Sequence, residues 1–317
     1  MNESNIEITS ERTSEISSEG ISVSLVLATV GRTHELDRLL ASIAGQTLKN
    51  IELIIVDQNE DDRVEKAIER WQPGLRYIHV HSARGLSRAR NAGIALASGG
   101  MVGFPDDDCW YPSDLLLQVK AWFEQQPAYD FLCCTAQDES GREVASRWPG
   151  RSQVIDRDSV LRACASASLF IRKAALEDAG GFDERLGLGA TTPFQSGEDS
   201  DLALRCLASG SKGWFEKQLH VHHPATVAGA AANARAFGYG MGFGCLLRMH
   251  GYSAGSLLYH VARALGGASK SLLLANPGKV RFYWNSATGR LIGYLVPKMM
   301  LHRNQSGCQR AGTCEYS

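Results

Sequence analysis

The feature that most constrains this chain is a repeating alternation of short apolar runs with helical patterns, in which the apolar runs stop at polar or acidic residues. Residues 21–29 read as a buried strand that ends at Thr29, near-continuously apolar as parallel strands are. After Gly31, the residues Leu36, Leu39, Leu40 and Ile43 fall on one face of a helix. Residues 51–56 predict a second strand that closes at Asp57, followed by a helix over 61–71. A strand at 75–80 leads to a helix at 86–97, and the strand at 101–104 runs into Asp106-Asp107-Asp108. Such alternation with short connections implies an α/β fold, with a mainly parallel sheet flanked by helices. Sheets of this kind bind ligands beyond the carboxyl ends of their strands, and Thr29, Asp57 and Asp106–Asp108 all stand at such ends.

Further along, the pattern predicts a helix at 112–126, strands at 130–135 and 166–171, and a helix at 173–179. A Gly- and Thr-rich loop covers 186–196, of the kind that closes over a substrate. A helix begins at Glu198, and the last strand, 215–221, leads to His222-His223. Beyond it the chain reads as helical, broken by glycines at 238–244, 251–255 and 266–267.

Charge divides the chain. Residues 1–218 carry about −10, whereas from Leu219 onward ten Lys or Arg face the single acid Glu315, about +9. A break this sharp suggests a second functional region, 225–317, with an anionic partner; phospholipid, a lipid diphosphate and nucleic acid each satisfy the electrostatics. Residues 1–20 are polar and acidic with no apolar leader, and are expected to be a disordered tail. Arg263, Lys270 and Lys298 interrupt the longest C-terminal apolar stretches, so no spanning helix is expected. The segments 257–274 and 291–301 read either as interfacial amphipathic helices or as packing helices with basic solvent faces. None of the eight cysteines forms a CxxC pair, and they are expected to be reduced thiols of a cytosolic protein.

Three consecutive carboxylates repel one another. A hard divalent ion, Mg²⁺ or Mn²⁺, is one remedy, with coordination positions left for substrate phosphates; an acidic, solvated turn is the plainer alternative. Asp57 is a candidate acceptor for a nucleobase imide or ribose hydroxyls, or a simple turn cap. The segment from Arg84 to Asn91 opens a helix where N–H groups and arginines can face an anion. Glu198 and Asp199 also begin a helix, where acids suit the dipole or where one of them acts as a general base. His222 and His223 are either ligands or strand-end structure.

The ordered set of these segments resembles the family-2 glycosyltransferases of the GT-A fold. The likeness rests on Val-Ser-Leu-Val-Leu-Ala-Thr-Val-Gly-Arg ending at Arg32, Ser-Ile-Ala-Gly-Gln-Thr at 42–47, and Ile-Ile-Val-Asp ending at Asp57. It continues through Gly-Leu-Ser-Arg-Ala-Arg-Asn-Ala-Gly at 85–93, Phe-Pro-Asp-Asp-Asp at 104–108, Gly-Gly-Phe-Asp-Glu at 180–184 and Gly-Glu-Asp-Ser-Asp-Leu at 197–202. The resemblance implies a GT-A domain over 21–224, followed by a basic helical region. It places Thr29, Arg32 and Asp57 near the nucleoside, with Arg84 or Arg90 as a further nucleotide contact. It makes Asp106–Asp108 the DxD-type site without fixing which oxygens touch the ion; Asp107 or Asp108 is expected on the metal, with Asp106 nearer the ribose and His223 alongside. Asp199 matches the catalytic base, with Glu198 beside it. The implied reaction is an inverting transfer from a nucleotide diphosphate sugar, UDP by default, to a glycan or polyprenyl-diphosphate-linked hydroxyl in cell-surface polysaccharide assembly. The Gln-x-x-Arg-Trp motif and membrane helices of the processive synthases are absent from this sequence, which favours addition of a single sugar by a soluble or membrane-associated enzyme with no nucleic-acid partner. A nucleotidyltransferase is the rival enzyme, although the expected Gly-rich loop with a Lys does not follow the first strand. A silent nucleotide-binding scaffold is the other rival.

Overall fold

Each of the apolar runs becomes a strand in the computed structural model, which describes residues 8–12, 20–71, 74–144, 148–225 and 230–296. In chain order the first elements are β1 (Ile8–Arg12), β2 (Val23–Thr29), α1 (His34–Ala44), β3 (Ile51–Asp57), α2 (Arg63–Trp71), β4 (Tyr77–His81), α3 (Leu86–Leu96) and β5 (Met101–Gly103). Next come α4 (Leu115–Gln125), β6 (Phe131–Gln137), β7 (Gln153–Ile155), α5 (Val160–Ala163), β8 (Leu169–Arg172), α6 (Lys173–Asp178), α7 (Glu198–Ala208) and β9 (Gly213–His222). Three long helices follow: α8 (Ala230–Met249), α9 (Ala254–Leu273) and α10 (Pro277–Leu295).

The strands form one sheet in the order β1-β4-β3-β2-β5-β8-β6-β9-β7. Among the described strands, six (β2 to β6 and β9) point the same way, and β1, β7 and β8 oppose them. The sheet is therefore mainly parallel, as expected. The chain leaves β2 toward β3 on one side and returns to β5 on the other, so the carboxyl ends of β2, β3 and β5 lie side by side.

Packing, rather than end caps, holds the flanking helices. Helix α1 buries the predicted Leu36, Leu39, Leu40 and Ile43, and its N-cap Thr33 makes no side-chain cap bond. Burying each aliphatic side chain is worth about 1.5–3 kcal/mol, against about 1 kcal/mol for a good cap. Helix α3 lies so close to the sheet that a Cβ on Gly93 would stand 2.4 Å from Val26 Cγ1.

Three expectations change. The N-terminal tail, read as disordered, supplies β1, which pairs antiparallel with β4; an exposed sheet edge offers unpaired backbone groups that a polar segment can fill without burying apolar surface. The short β7 and α5 carried too few residues to show a period. The glycines at 238–244 and 266–267 lie inside α8 and α9, and of the three expected breaks only the turn around Gly251 interrupts helix. Helix α8 crosses α10 almost backbone to backbone: a Cβ on Gly244 would meet Arg290 O at 2.2 Å, and one on Gly293 would meet Met241 O at 2.1 Å. Close contact of this kind offsets the roughly 1 kcal/mol that Gly costs in a helix.

The apolar core runs continuously from the sheet into these helices through Leu246, Leu247, Leu257 and Val261. No described helix is long and apolar enough to cross a membrane. Lys298, Arg303, Arg310, the tail cysteines and the end of the 291–301 segment lie outside the described residues.

Candidate active site

The site is assembled at the carboxyl edge of the sheet. Thr29 and Asp57 are paired in register on β2 and β3 and both are fully buried. Burial alone would raise the Asp57 carboxyl, but hydrogen bonds from His79 and Asn59 pull it below the ordinary aspartate value. Asn59 donates from its backbone N–H at 2.8 Å and its side-chain amide at 2.7 Å to Asp57 Oδ1, and His79 Nε2 stands 3.3 Å from Oδ2.

The three aspartates after β5 relieve their repulsion by turning to different partners. Asp106 Oδ1 accepts from Arg90 Nη2 at 3.0 Å. Asp107 Oδ2 accepts from Thr29 Oγ1 at 3.0 Å, and its Oδ1 lies 3.5 Å from Arg32 Nε. Asp108 Oδ2 accepts from Arg32 Nη2 at 3.0 Å, while its Oδ1 lies 3.4 Å from His223 Nε2. Burial, aided by the neighbouring aspartates, pushes the Asp107 carboxyl up to about 6, so a charge there is under-compensated.

Those observations fit a divalent ion. The Asp108–His223 separation suits two ligands of one ion, since atoms about 2.0–2.2 Å from a metal stand roughly 3 Å apart, and a cation would neutralise Asp107. Asp106, held by Arg90, is left out of that set.

Arg90 lies elsewhere than expected. Read from the sequence as a nucleotide contact, it is an internal counter-ion: its side chain is 1% exposed and binds Asp106, Ser166 Oγ at 2.7 Å and Asp199 Oδ1 at 3.1 Å. Phe182 lies under its guanidinium with the ring centroid 5.2 Å away. Arg84 is exposed at the rim. The N-terminus of α3, read as an anion site, is closed by protein acceptors, because Gly85 N–H donates to Gln58 Oε1 and Leu86 N–H to Leu188 O.

Across from the aspartates, Gly197 takes a left-handed φ of 95° and starts α7. That turn presents Asp199, which accepts from Arg90 and, through Oδ2, from Ser166 N–H at 3.0 Å. Glu198 differs sharply from its neighbour. Burial first, then the Asp199 charge, push its carboxyl up to about 8 despite Arg90, and among the described residues its buried Oε2 has no hydrogen-bond partner. Burial therefore favours the protonated form of Glu198 well above the ordinary glutamate range. Three residues further, Asp201 is fully buried between Arg205 and His250, each at 2.8 Å, tying α7 to the end of α8.

The loop at 186–196 is braced: Ser87 Oγ donates to Leu186 O at 2.6 Å, and Gly189 N–H donates to Gln195 Oε1 at 2.9 Å. Ser166 and His250 were not singled out from the sequence; no motif distinguishes them, and only the fold brings them to the site.

Residues 24–177 match the sequence profile described as glycosyl transferase family 2. The chain carries a family-2 glycosyltransferase domain. An uncharacterised glycosyltransferase of Rickettsia felis is 25% identical over 209 residues, 62% of this chain and 32% of its own length; the chain thus spans about a third of that relative. The UDP-Glc:α-D-GlcNAc-diphosphoundecaprenol β-1,3-glucosyltransferase WfgD of Escherichia coli is 28% identical over 99 residues, 31% of this chain and 39% of WfgD. Among solved structures, the mannosyltransferase of Pyrobaculum calidifontis in complex with GDP-Man and Mn²⁺ superposes with a TM-score of 0.59. At 18% identity, over 86% of this chain and 88% of that one, it establishes the GT-A arrangement of the family-2 domain.

Proposed function

We propose that this glycosyltransferase transfers a single sugar, with inversion, from a UDP-linked donor to a hydroxyl of a glycan or polyprenyl-diphosphate-linked acceptor in cell-surface polysaccharide assembly. The observation that carries the reading is the Arg90 cluster, which fastens Asp106 of the diphosphate end and Asp199 of the acceptor end to one guanidinium. Asp57 accepts hydrogen bonds from the nucleobase or ribose, with Thr29 and Arg32 beside it and Arg84 at the rim. Asp107, Asp108 and His223 hold Mg²⁺ or Mn²⁺, which when bound offsets the charge that develops on the departing diphosphate.

Asp199 takes the acceptor proton as the hydroxyl attacks the anomeric carbon opposite the leaving group. Its two hydrogen-bond donors fix the carboxylate and leave it partly open to the acceptor. The neutral Glu198 beside it adds no second charge and offers a carboxyl to hydrogen-bond a sugar hydroxyl. Support for the donor and acceptor classes comes from the names of the relatives: WfgD uses UDP-Glc and a diphosphoundecaprenol-linked sugar.

The C-terminal helices supply the second partner, an anionic membrane surface on the cytoplasmic side. Helix α9 exposes Leu258, Leu265 and Leu272 on one stripe, with Arg263 and Lys270 alongside, and residues 230–296 contain seven Lys or Arg and no acid. A helix apolar on one face and cationic beside it lies in the interface of an anionic bilayer.

A panel of UDP- and GDP-sugars, with and without Mn²⁺, tests the chemistry. Asp199→Asn should lower transfer by about 10²–10⁴ while leaving donor binding intact. Near-normal turnover in that variant would remove Asp199 as the base, and failure of every sugar nucleotide to bind would remove the reading itself.

A further inference from the structure

A second cluster of ligand atoms stands beside the nucleoside end, and of its members only Asp57 enters the chemistry above. His79 and His81 alternate on β4, so their side chains share one face of the sheet, with ring centroids 5.1 Å apart. Asp57, at the end of β3, is the cross-strand partner of His81, and Glu65 projects from the first turn of α2. The four groups alternate in a ring. Asp57 Oδ2 lies 3.3 Å from His79 Nε2 and 4.0 Å from His81 Nδ1, and Glu65 Oε1 lies 4.0 Å from His79 Nδ1 and 3.7 Å from His81 Nε2. One ligand atom from each residue can be chosen so that all four lie within 4.8 Å of one another.

We propose that Asp57, Glu65, His79 and His81 form a binding site for a borderline transition ion of the Zn²⁺ type, separate from the ion assigned to Asp107, Asp108 and His223. Four ligands on a tetrahedral ion with bonds of about 2.0–2.1 Å stand roughly 3.3 Å apart. Asp57 Oδ2 and His79 Nε2 already have that separation, and one ligand atom from each of the four residues lies within 4.8 Å of the others. Two imidazoles with two carboxylates suit Zn²⁺ or Co²⁺, whereas Mg²⁺ demands oxygen ligands in octahedral array.

An independent observation points the same way. Glu65 Oε2 is buried and has no hydrogen-bond partner among the described residues, a costly state for a carboxylate oxygen removed from water. A bound ion relieves that cost directly. The site also has the two environments a metal needs: Asp57 and His79 are buried, while Glu65 and His81 remain about a third exposed and give an entry path. An ion held there would cross-link β3, β4 and α2 around the residue assigned to the nucleobase. The proposal stands independently of the sugar-transfer reading, because binding is read with protein and ion alone.

The test uses the full chain, stripped with a chelator and titrated with Co²⁺ and Zn²⁺. The expected result is one Co²⁺ with the intense visible bands of tetrahedral coordination, displaced by Zn²⁺, and a rise in Tm on Zn²⁺ binding. His81→Gln and Glu65→Gln should each weaken that ion at least tenfold and remove the bands. The double variant Asp107→Asn/Asp108→Asn should keep them. Because His79 and Asp57 are buried, the two partly exposed positions carry the test without threatening the fold. Weak octahedral spectra only, or tetrahedral bands unchanged by both Glu65→Gln and His81→Gln, would overturn the proposal.

Discussion

Residues 1–218 carry about −10 and those from 219 onward about +9, and the two regions handle their charge in opposite ways. In the sheet region, acids are drawn inward and matched: Asp106, Glu198 and Asp199 gather around Arg90, and Asp201 sits between Arg205 and His250. In the helices α8–α10, cations have no carboxylate of their own, and Arg263, Lys270, Lys279 and Arg281 stand exposed. Packing differs as well. The sheet domain is filled by large side chains on periodic faces, whereas α8 and α10 meet where side chains are missing. The lesson is that one region pairs its charges inside the fold and the other leaves them unpaired on its surface.

Substitutions can break this contrast at four points beyond the catalytic Asp199→Asn. The largest effect on folding is expected from Arg90→Met, which strips Asp106 and Asp199 of their shared counter-ion. Removing one partner of a buried charged network costs about 3–5 kcal/mol, measurable by urea unfolding; a loss under 1 kcal/mol would show that Arg90 is dispensable to the cluster. Gly244→Ala and Gly293→Ala come next. Each drives a Cβ into backbone, and overpacking of this kind costs about 1–3 kcal/mol. Gly266→Ala, in the same helical unit but with no atom within 4 Å of the added Cβ, should instead gain about 0.5–1 kcal/mol from helix propensity. Equal effects at all three positions would deny the close crossing.

Glu198→Gln gives a smaller, pH-dependent effect. The folded state holds the Glu198 proton up to about pH 8, whereas an ordinary glutamate releases it near 4.5. The unfolded chain therefore loses this proton first, and the stability Glu198 contributes is full below pH 4.5 and drains away as pH rises toward 8. Glutamine cannot ionise, so the Tm of Glu198→Gln should gain on the parent between pH 5 and pH 8; parallel curves would mean that Glu198 is charged in the native state. The smallest effect is at the surface. Arg263→Gln/Lys270→Gln should weaken sedimentation with anionic vesicles by about 1 kcal/mol per charge removed, in a salt-dependent manner, with no change in Tm. Salt-insensitive binding, or none in the parent protein, would remove the membrane from the list of partners.

The elements that sequence periodicity made legible were those whose signal is local. The face Leu36–Leu39–Leu40–Ile43 and the strand ends at Thr29, Asp57 and Asp106 could be read because a few consecutive residues define them. Arg90 could not be placed, since its partners come from residues 106, 166 and 199, and nothing in their spacing says that they converge. The same holds for His250, which reaches Asp201 across 49 positions. Glycines misled for a different reason: the sequence shows their low helix propensity but not the neighbouring backbone that compensates for it. The ring of Asp57, Glu65, His79 and His81 escaped notice because its members sit on three elements, without the short repeated spacing that marks a metal motif.

One contact, between α8 and the turn ahead of Asp199, bears on how such proteins can be rebuilt. A Cβ on Gly242 would lie 2.2 Å from Ser196 O, and Ser196 Oγ donates to Tyr239 O at 2.8 Å. The helical unit is thus a mould for the segment that carries Asp199. Swapping it for the corresponding unit of another glycosyltransferase, as a cassette cut after His223, would exchange the basic surface and recast the turn that presents Asp199 in the same stroke.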